Sequence, residues 1–316
     1  ASDADKVVWE SIFDEFEAAN PGVSVEVVWC SDSGDITNRF NAGEKADLAN
    51  IPVGGLGWTI ANGWISPITS YVENNGFDMN DIMQSAFLTY KGDIYGITEN
   101  IETQVLYYNK DLFDKAGIAY PTDDWTWDDL KEAAKKLTVK DENGNALTWG
   151  FQYDEYCRLF VSKLWSDGGL CFDDEGDPYN CTVNSDIGVA AAAYMKALMD
   201  EGAMPAPDTT AGGVREMFAT GCAAMTMDGT WMVQTYETSG VNYGIAMVPK
   251  GTVRRGGWHS PTGLCITSST EKADLAFKLM QFVYTANNSV RLTGNGDLTS
   301  LYRVPVWRSA YTSEGW

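Results

Sequence analysis

The sequence has a single histidine, His259, and none of its six cysteines belongs to a Cys-x-x-Cys pair. Zinc sites draw their ligands mainly from closely spaced cysteine and histidine side chains. The sequence therefore argues against zinc, and it predicts neither a metal nor a cofactor. Cys171 and Cys181 flank an acidic, turn-rich loop and are candidates for a disulfide. The alternative is that all six cysteines are small buried apolar side chains.

Basic residues are also scarce. The chain has 22 Lys and Arg against 44 Asp and Glu, which gives a formal net charge of -22. A field of that sign repels nucleic-acid phosphates and anionic lipid headgroups. We therefore expect no nucleic-acid partner, and an anionic ligand would need a local basic pocket.

Long apolar runs and nucleotide signatures are missing as well. No run approaches the roughly 18 apolar residues that span a bilayer, and the first residues do not show the pattern expected of a signal peptide. If the protein is exported, we expect this to be a mature or trimmed form. The glycine-rich segment 54–57 lacks the Lys-Ser/Thr of a phosphate-binding loop.

What the chain does have is length and many aromatic rings. Its 316 residues suit two domains, and it carries 12 Trp, 15 Tyr and 12 Phe. Most of these rings are expected in the core. Carbohydrate sites also use flat aromatic faces, because the C–H face of a pyranose stacks on them, so the excess favours a sugar site without locating it.

Helical and strand patterns alternate along the sequence. Helices are predicted over 7–19, 36–42, 57–63, 109–117, 127–137, 189–201, 215–219 and 273–284. Strands are predicted over 23–29, 51–55, 103–108, 223–227, 243–248 and 263–267, and a hairpin over 92–97. This alternation predicts an α/β fold.

Five segments, in order, resemble one known family. They are 107–117 (YYNKDLFDKAG), 125–130 (WTWDDL), 218–231 (FATGCAAMTMDGTW), 243–258 with its Gly-Gly-Trp end, and 273–284. Their order and spacing over roughly residues 5 to 308 are similar to the extracellular solute-binding proteins, the family that includes maltose-binding protein.

The resemblance implies a two-lobed periplasmic-binding-protein fold with discontinuous lobes and a ligand cleft between them. The N-terminal lobe would comprise 1–101 and 260–304, and the C-terminal lobe 102–259 and 305–316. Chain crossings are implied near Glu99–Gln104, Trp258–Thr262 and Tyr302–Val306. The family pattern extends past both ends of this sequence, so we expect a chain truncated at both ends.

The resemblance also implies a function. The protein would be the substrate-binding component of a bacterial ABC transporter, not an enzyme. It would capture a mono- or oligosaccharide and deliver it to the transmembrane permease subunits. A monomer is expected, located outside the cytoplasm, either in the periplasm or as a lipoprotein anchored to the outer face of the membrane.

Ligand contacts are assigned to residues at the implied crossings and strand ends. The resemblance makes Trp231 a stacking platform and matches Glu102 to a ligand-contacting acid, with Asn100 and Glu99 as rivals. An ionised Asp228 would be a strong acceptor for sugar hydroxyl groups. The remaining candidates are Trp258 as a second platform, Tyr153, Tyr156 and Arg158 from one stretch, and Trp58 and Asp32 from the first lobe.

Two alternatives stay open. A glycoside hydrolase would suit the many aromatic rings and acids, because it needs two carboxylates flanking the sugar bond. No motif places such a pair. A binding protein for a peptide or a cationic solute would suit the acidic balance. Opposing tryptophan platforms would favour a sugar, and an acidic cage would favour a cation.

Overall fold

The structure, a computed structural model, describes residues 3–74, 77–98, 100–153, 156–173, 180–206, 216–259, 261–294 and 304–312. Its contacts divide the chain into two compact units. The first comprises Ala1–Glu102 and Ser260–Trp316, and the second comprises Thr103–His259. The first unit is therefore built from two separate stretches of sequence.

The first unit combines short helices with two antiparallel sheets. Its helices are α1 (Asp3–Ala19), α2 (Ser33–Asn41), α3 (Val53–Ala61), α4 (Thr69–Asn74), α11 (Ala273–Val283) and α12 (Ala286–Gly294), with 3-10 turns at Gln84–Ala86 and Arg308–Thr312. Its strands are β1 (Leu48–Pro52), β2 (Phe87–Tyr90), β3 (Asp93–Thr98), β4 (Asn100–Ile101), β10 (Thr262–Ile266) and β11 (Val304–Pro305). They form a sheet in the order β1-β10-β3-β2 and a separate β11-β4 pair.

The second unit is organised around one central strand. Its strands are β5 (Gln104–Asn109), β6 (Val139–Lys140), β7 (Ala146–Thr148), β8 (Met225–Gly229) and β9 (Tyr243–Ala246). Its helices are α5 (Lys110–Ala116), α6 (Trp127–Leu137), α7 (Tyr156–Ser166), α8 (Asp186–Asp200), α9 (Glu216–Ala219) and α10 (Val233–Ser239), with a 3-10 turn at Thr230–Met232. Strand β5 lies between β8 and β9, antiparallel to both.

Local sequence signals explain where the helices beside β5 begin and end. The Asn109 side chain accepts a hydrogen bond from the amide of Leu112 and begins α5, which ends at Gly117 with a φ of 66°. That left-handed conformation suits glycine, which lacks a Cβ. The N-cap of helix α6 is Thr126, which forms a reciprocal capping box with Asp129.

The final segment lies in a different unit from the one predicted. Residues 305–316 are predicted with the C-terminal lobe, but Val306, Trp307 and Ala310 are buried in the core of the first unit, with Ile12 and Ile82. Three largely apolar side chains in a short run remove more surface from water there than they could as an exposed tail. The prediction is wrong for residues 305–312, the described part of this segment.

The strand predicted over residues 23–29 is not formed. The amide of Val23 donates to the carbonyl of Asn20, and the amide of Val25 donates to Glu17 Oε1 at 2.6 Å. These amides are therefore used by the end of α1. The alternation itself is real, because Val23, Val25 and Trp29 are the half-buried residues that pack on the core.

The cysteines fit neither prediction made for them. All six are free, so the disulfide between Cys171 and Cys181 is not formed. Only Cys265 is buried, and burial raises the pKa of its thiol to about 12. None of the helices in the described ranges has the length and apolar character needed to cross a membrane.

We predict that Thr126→Ala lowers the free energy of unfolding by about 1 kcal/mol near neutral pH, because the N-cap hydroxyl is lost. Hydrogen bonds from the Thr126 side chain and then its backbone lower the pKa of Asp129. A pKa that is lower in the folded state stabilises the folded protein at pH values above the unfolded-state pKa of about 3.9. This stabilisation is lost as the pH falls through the folded-state pKa.

The destabilisation by Thr126→Ala should therefore shrink in acid. Urea titrations near neutral pH and near pH 3 measure it. Thr235→Ala, an exposed position in α10, is the matched control and should change stability by less than about 0.5 kcal/mol. An equal loss from both variants would contradict the capping role.

Candidate functional site

Five of the predicted contact residues line one small recess in the second unit. The recess contains about 10 Å³ of free space, close to the room for one water molecule. Its lining consists of Gln104, Tyr153, Arg158, Asp228, Gly229, Trp231 and Trp258. The site is therefore concave, aromatic and polar, with one acid and one base in its lining.

Strand pairing places the acid. Asp228 lies opposite Val105 in the β5–β8 register, and Gly229 lies opposite Gln104. Asp228 is 6% exposed, and its Oδ1 accepts a hydrogen bond from the amide of Gly229 at 2.7 Å. A carboxylate has about four acceptor positions, so Asp228 can take part in several hydrogen bonds at once.

Trp231 rests on a glycine. A Cβ built on Gly229 would come within 2.1 Å of carbon atoms of the Trp231 ring, so only glycine permits this approach. The turn is fixed by the amide of Thr230, which donates to the carbonyl of Thr103 at 2.9 Å. It is also fixed by the buried Tyr107 hydroxyl, which donates to the carbonyl of Gly229 at 2.9 Å.

The Tyr107 hydroxyl keeps its proton. Burial, with smaller contributions from Tyr236 and Asp228, raises the pKa of Tyr107 well above its usual value. A protonated hydroxyl is a hydrogen-bond donor, which matches its bond to the carbonyl of Gly229.

Trp258 meets Trp231 edge to face. The ring centroids are 6.1 Å apart, and the planes are inclined by 84°. The Arg158 guanidinium lies 3.8 Å from the centroid of the Trp258 ring, a cation–π distance. One face of Trp258 is therefore covered by Arg158 in this structure.

Gln104, like Gly229, is a lining residue that the sequence analysis did not assign as a contact. It is 5% exposed and opens β5. Its side chain contacts Tyr153, Ser162 and the main chain of Trp258. The sequence signal was a polar residue directly before the run 105–108, at the end of the implied crossing.

The first-unit candidates are not part of this recess. Asp32 is the N-cap of α2, where its Oδ1 accepts from the amide of Asp35 at 2.9 Å. Trp58 is 46% exposed on α3, and its ring meets that of Trp64 edge to face with centroids 4.6 Å apart. Glu102 is the last residue of the first stretch of that unit.

Some predicted contacts cannot be placed. The backbone of Asn100 pairs with Pro305, but its side chain lies outside the described residues, as does that of Tyr156. Glu99 lies wholly outside them. Across the described ranges, no three His, Cys, Asp or Glu side chains gather as a metal site.

Comparison with known proteins identifies the family. The family model described as bacterial extracellular solute-binding protein matches residues 2–288. This match spans most of the chain, and the chain belongs to that family.

Individual relatives agree. A maltooligosaccharide ABC transporter solute-binding lipoprotein of Streptococcus pneumoniae is 26% identical over 213 residues, 66% of this chain and 48% of that protein. An ABC substrate-binding protein from Listeria monocytogenes, solved in complex with cycloalternan, has a TM-score of 0.80 and 25% identity, covering 98% of this chain and 80% of that one.

The same fold also occurs with a different ligand. UgpB from Mycobacterium tuberculosis, solved with glycerophosphocholine, has a TM-score of 0.79 and 19% identity, covering 96% of this chain and 79% of that one. These likenesses show that the chain has the two-lobed α/β fold of solute-binding proteins.

We predict that Gly229→Ala displaces the Trp231 ring, because the new Cβ would lie inside it. The φ of Gly229 is -78°, which alanine adopts without strain, so the effect should come from the ring alone. Near-ultraviolet circular dichroism should change in the tryptophan region. Gly57→Ala, with open space at its Cβ, is the control and should leave that spectrum unaltered.

We further predict that Arg158→Met exposes Trp258 to solvent. Removing the guanidinium uncovers one ring face, which should raise the quenching of tryptophan fluorescence by acrylamide. Arg254→Met, at an exposed position of the same unit, should have no effect. Equal quenching in wild type and Arg158→Met would show that the stack does not persist in solution.

Proposed function

We propose that this solute-binding protein captures a mono- or oligosaccharide at the mouth of the recess, against Trp231, and delivers it to the transmembrane subunits of an ABC permease. The observation that carries the proposal is the conjunction of two tryptophan rings, Trp231 and Trp258, with a buried carboxylate, Asp228.

The chemistry of a sugar fits this conjunction. A pyranose has an apolar C–H face that stacks on an indole, and a rim of hydroxyl groups that donate hydrogen bonds. A carboxylate is the strongest acceptor among the side chains, and bonds to it are roughly twice as strong as neutral ones. Trp231 would supply the stacking face, and Asp228 would orient the hydroxyl groups.

The relatives favour the same ligand class. The Streptococcus pneumoniae relative is named for maltooligosaccharides, and the Listeria monocytogenes structure holds cycloalternan. A peptide or a cationic solute remains the alternative ligand class, and the Mycobacterium tuberculosis structure of this fold holds glycerophosphocholine.

A role without catalysis is part of the proposal. Glycoside hydrolysis uses two carboxyl groups about 5 to 10 Å apart. The described lining of the recess contains one, Asp228.

We extend the proposal to a monomer located outside the cytoplasm, either in the periplasm or lipid-anchored. We also propose further ligand contacts, from Glu102, Asn100, Tyr156, Trp58 and Asp32.

The decisive measurement is tryptophan fluorescence titrated with a panel of mono- and oligosaccharides, with product analysis of the same samples. We expect a saturable change with at least one sugar and no cleavage. Trp231→Ala should weaken binding at least about tenfold, which corresponds to about 1.4 kcal/mol of lost stacking and packing.

Trp125→Ala is the matched control, since Trp125 is a half-buried tryptophan of the same unit outside the recess. It should bind like the wild type. Cleavage of the sugar would show that the protein is a glycoside hydrolase and not a binding protein. A fluorescence response to choline or polyamines alone would show that the ligand is a cationic solute.

A further inference from the structure

Gln104 connects its own strand to three other parts of the second unit, through its side chain and its backbone amide. Its own amide donates to the carbonyl of Trp258 at 2.9 Å. Its Oε1 accepts from the Ser162 hydroxyl at 2.7 Å and from the Trp258 amide at 3.3 Å. Its Nε2 donates to the Tyr153 hydroxyl oxygen at 2.6 Å.

The direction of these bonds is fixed by one contact. A backbone amide can only donate, so the atom of Gln104 that faces the Trp258 amide must be the oxygen. The nitrogen then faces Tyr153, and a side-chain amide nitrogen can only donate. The Tyr153 hydroxyl is therefore an acceptor toward Gln104, and its own hydrogen must point elsewhere.

Two of the three partners of Gln104, Tyr153 and Trp258, line the recess. Tyr153 is buried, and Trp258 stands edge to face with Trp231. We propose that Gln104 is a positioning residue for ligand binding, which fixes the polarity of the Tyr153 hydroxyl and anchors the main chain under Trp258. This inference rests on the proposed function of the recess.

Replacing Gln104 by glutamate directly tests the direction of the hydrogen bond between residue 104 and the Tyr153 hydroxyl. Glutamate has the shape of glutamine, but its ionised form only accepts hydrogen bonds. In Gln104→Glu near neutral pH, the Tyr153 hydroxyl must turn and donate to the new carboxylate. When that carboxyl is protonated, it again offers one donor and one acceptor, the pattern of the native amide.

The expected result is binding that depends on pH. With maltotriose, or whichever sugar of the panel binds the wild type, Gln104→Glu should bind about tenfold more weakly near pH 7. Affinity should return to within about twofold of the wild type once acid protonates the new carboxyl, whose pKa is raised by burial and by Asp228 and lowered by Arg158 and by its hydrogen-bond donors. The wild type, titrated in parallel, corrects for other groups.

Two controls separate positioning from a general effect of a buried charge. Gln152→Glu places a carboxylate at a residue that is 1% exposed in the same unit but outside the lining. The sugar affinity of this variant should therefore show no recovery when the pH is lowered. In a Tyr153→Phe background there is no hydroxyl to turn, and Gln104→Glu should lose its pH dependence. Persistence of the pH dependence there would overturn the role assigned to Tyr153.

A second arm needs no ligand. Gln104→Leu removes the acceptor of the Trp258 amide, whose hydrogen exchange should accelerate at least about tenfold relative to amides of β8. Unchanged exchange would overturn the anchoring of Trp258. If no sugar binds the wild type, the proposed function fails, and this exchange measurement still decides whether Gln104 holds the recess.

Discussion

The antiparallel pairing of Gln104–Asn109 with Met225–Gly229 is the constraint on which the recess depends. Its register sets Gln104 opposite Gly229 and Val105 opposite Asp228. Because side chains alternate between the two faces of a strand, a slip of one residue would turn Asp228 to the other face. It would also part Gly229 from Gln104. The apolar residues of β5, buried along almost its whole length, hold the register by burying their surface.

Charge acts at two ranges in this protein. The net charge of -22 gives a long-range field that disfavours anions, and salt screens such a field over about 10 Å. Within the recess the balance is different, since one carboxylate and one guanidinium line the same small space. A neutral, hydroxyl-rich ligand meets no penalty from the long-range field and can bond to both groups. This pairing therefore supports a polar neutral ligand better than a strongly charged one.

Sequence patterns predicted most of the fold because the helices and strands follow period and capping rules. Helix α7 was missed, since Ser162 and Ser166 occupy its buried side and interrupt the apolar period. The segment 23–29 shows the opposite case. Its alternation predicts which residues pack inward, but a strand also requires a hydrogen-bonding neighbour, which periodicity does not specify. Tryptophan and aspartate at strand ends marked much of the recess. Gln104 carries no such mark, because its importance comes from partners that are 49, 58 and 154 positions away.

The recess is held by groups that do not themselves need to touch a ligand. The Tyr107 hydroxyl supports the carbonyl of Gly229, and the Gln104 amide joins Tyr153 to the main chain of Trp258. Each of these polar groups is buried, so it is stable only because its hydrogen bonds are made during folding. The conformational entropy of the side chains that line the recess is then lost during folding, and not when a ligand binds. A rigid aromatic wall of this kind strengthens binding by lowering the ordering cost of association, even where the number of direct contacts is small.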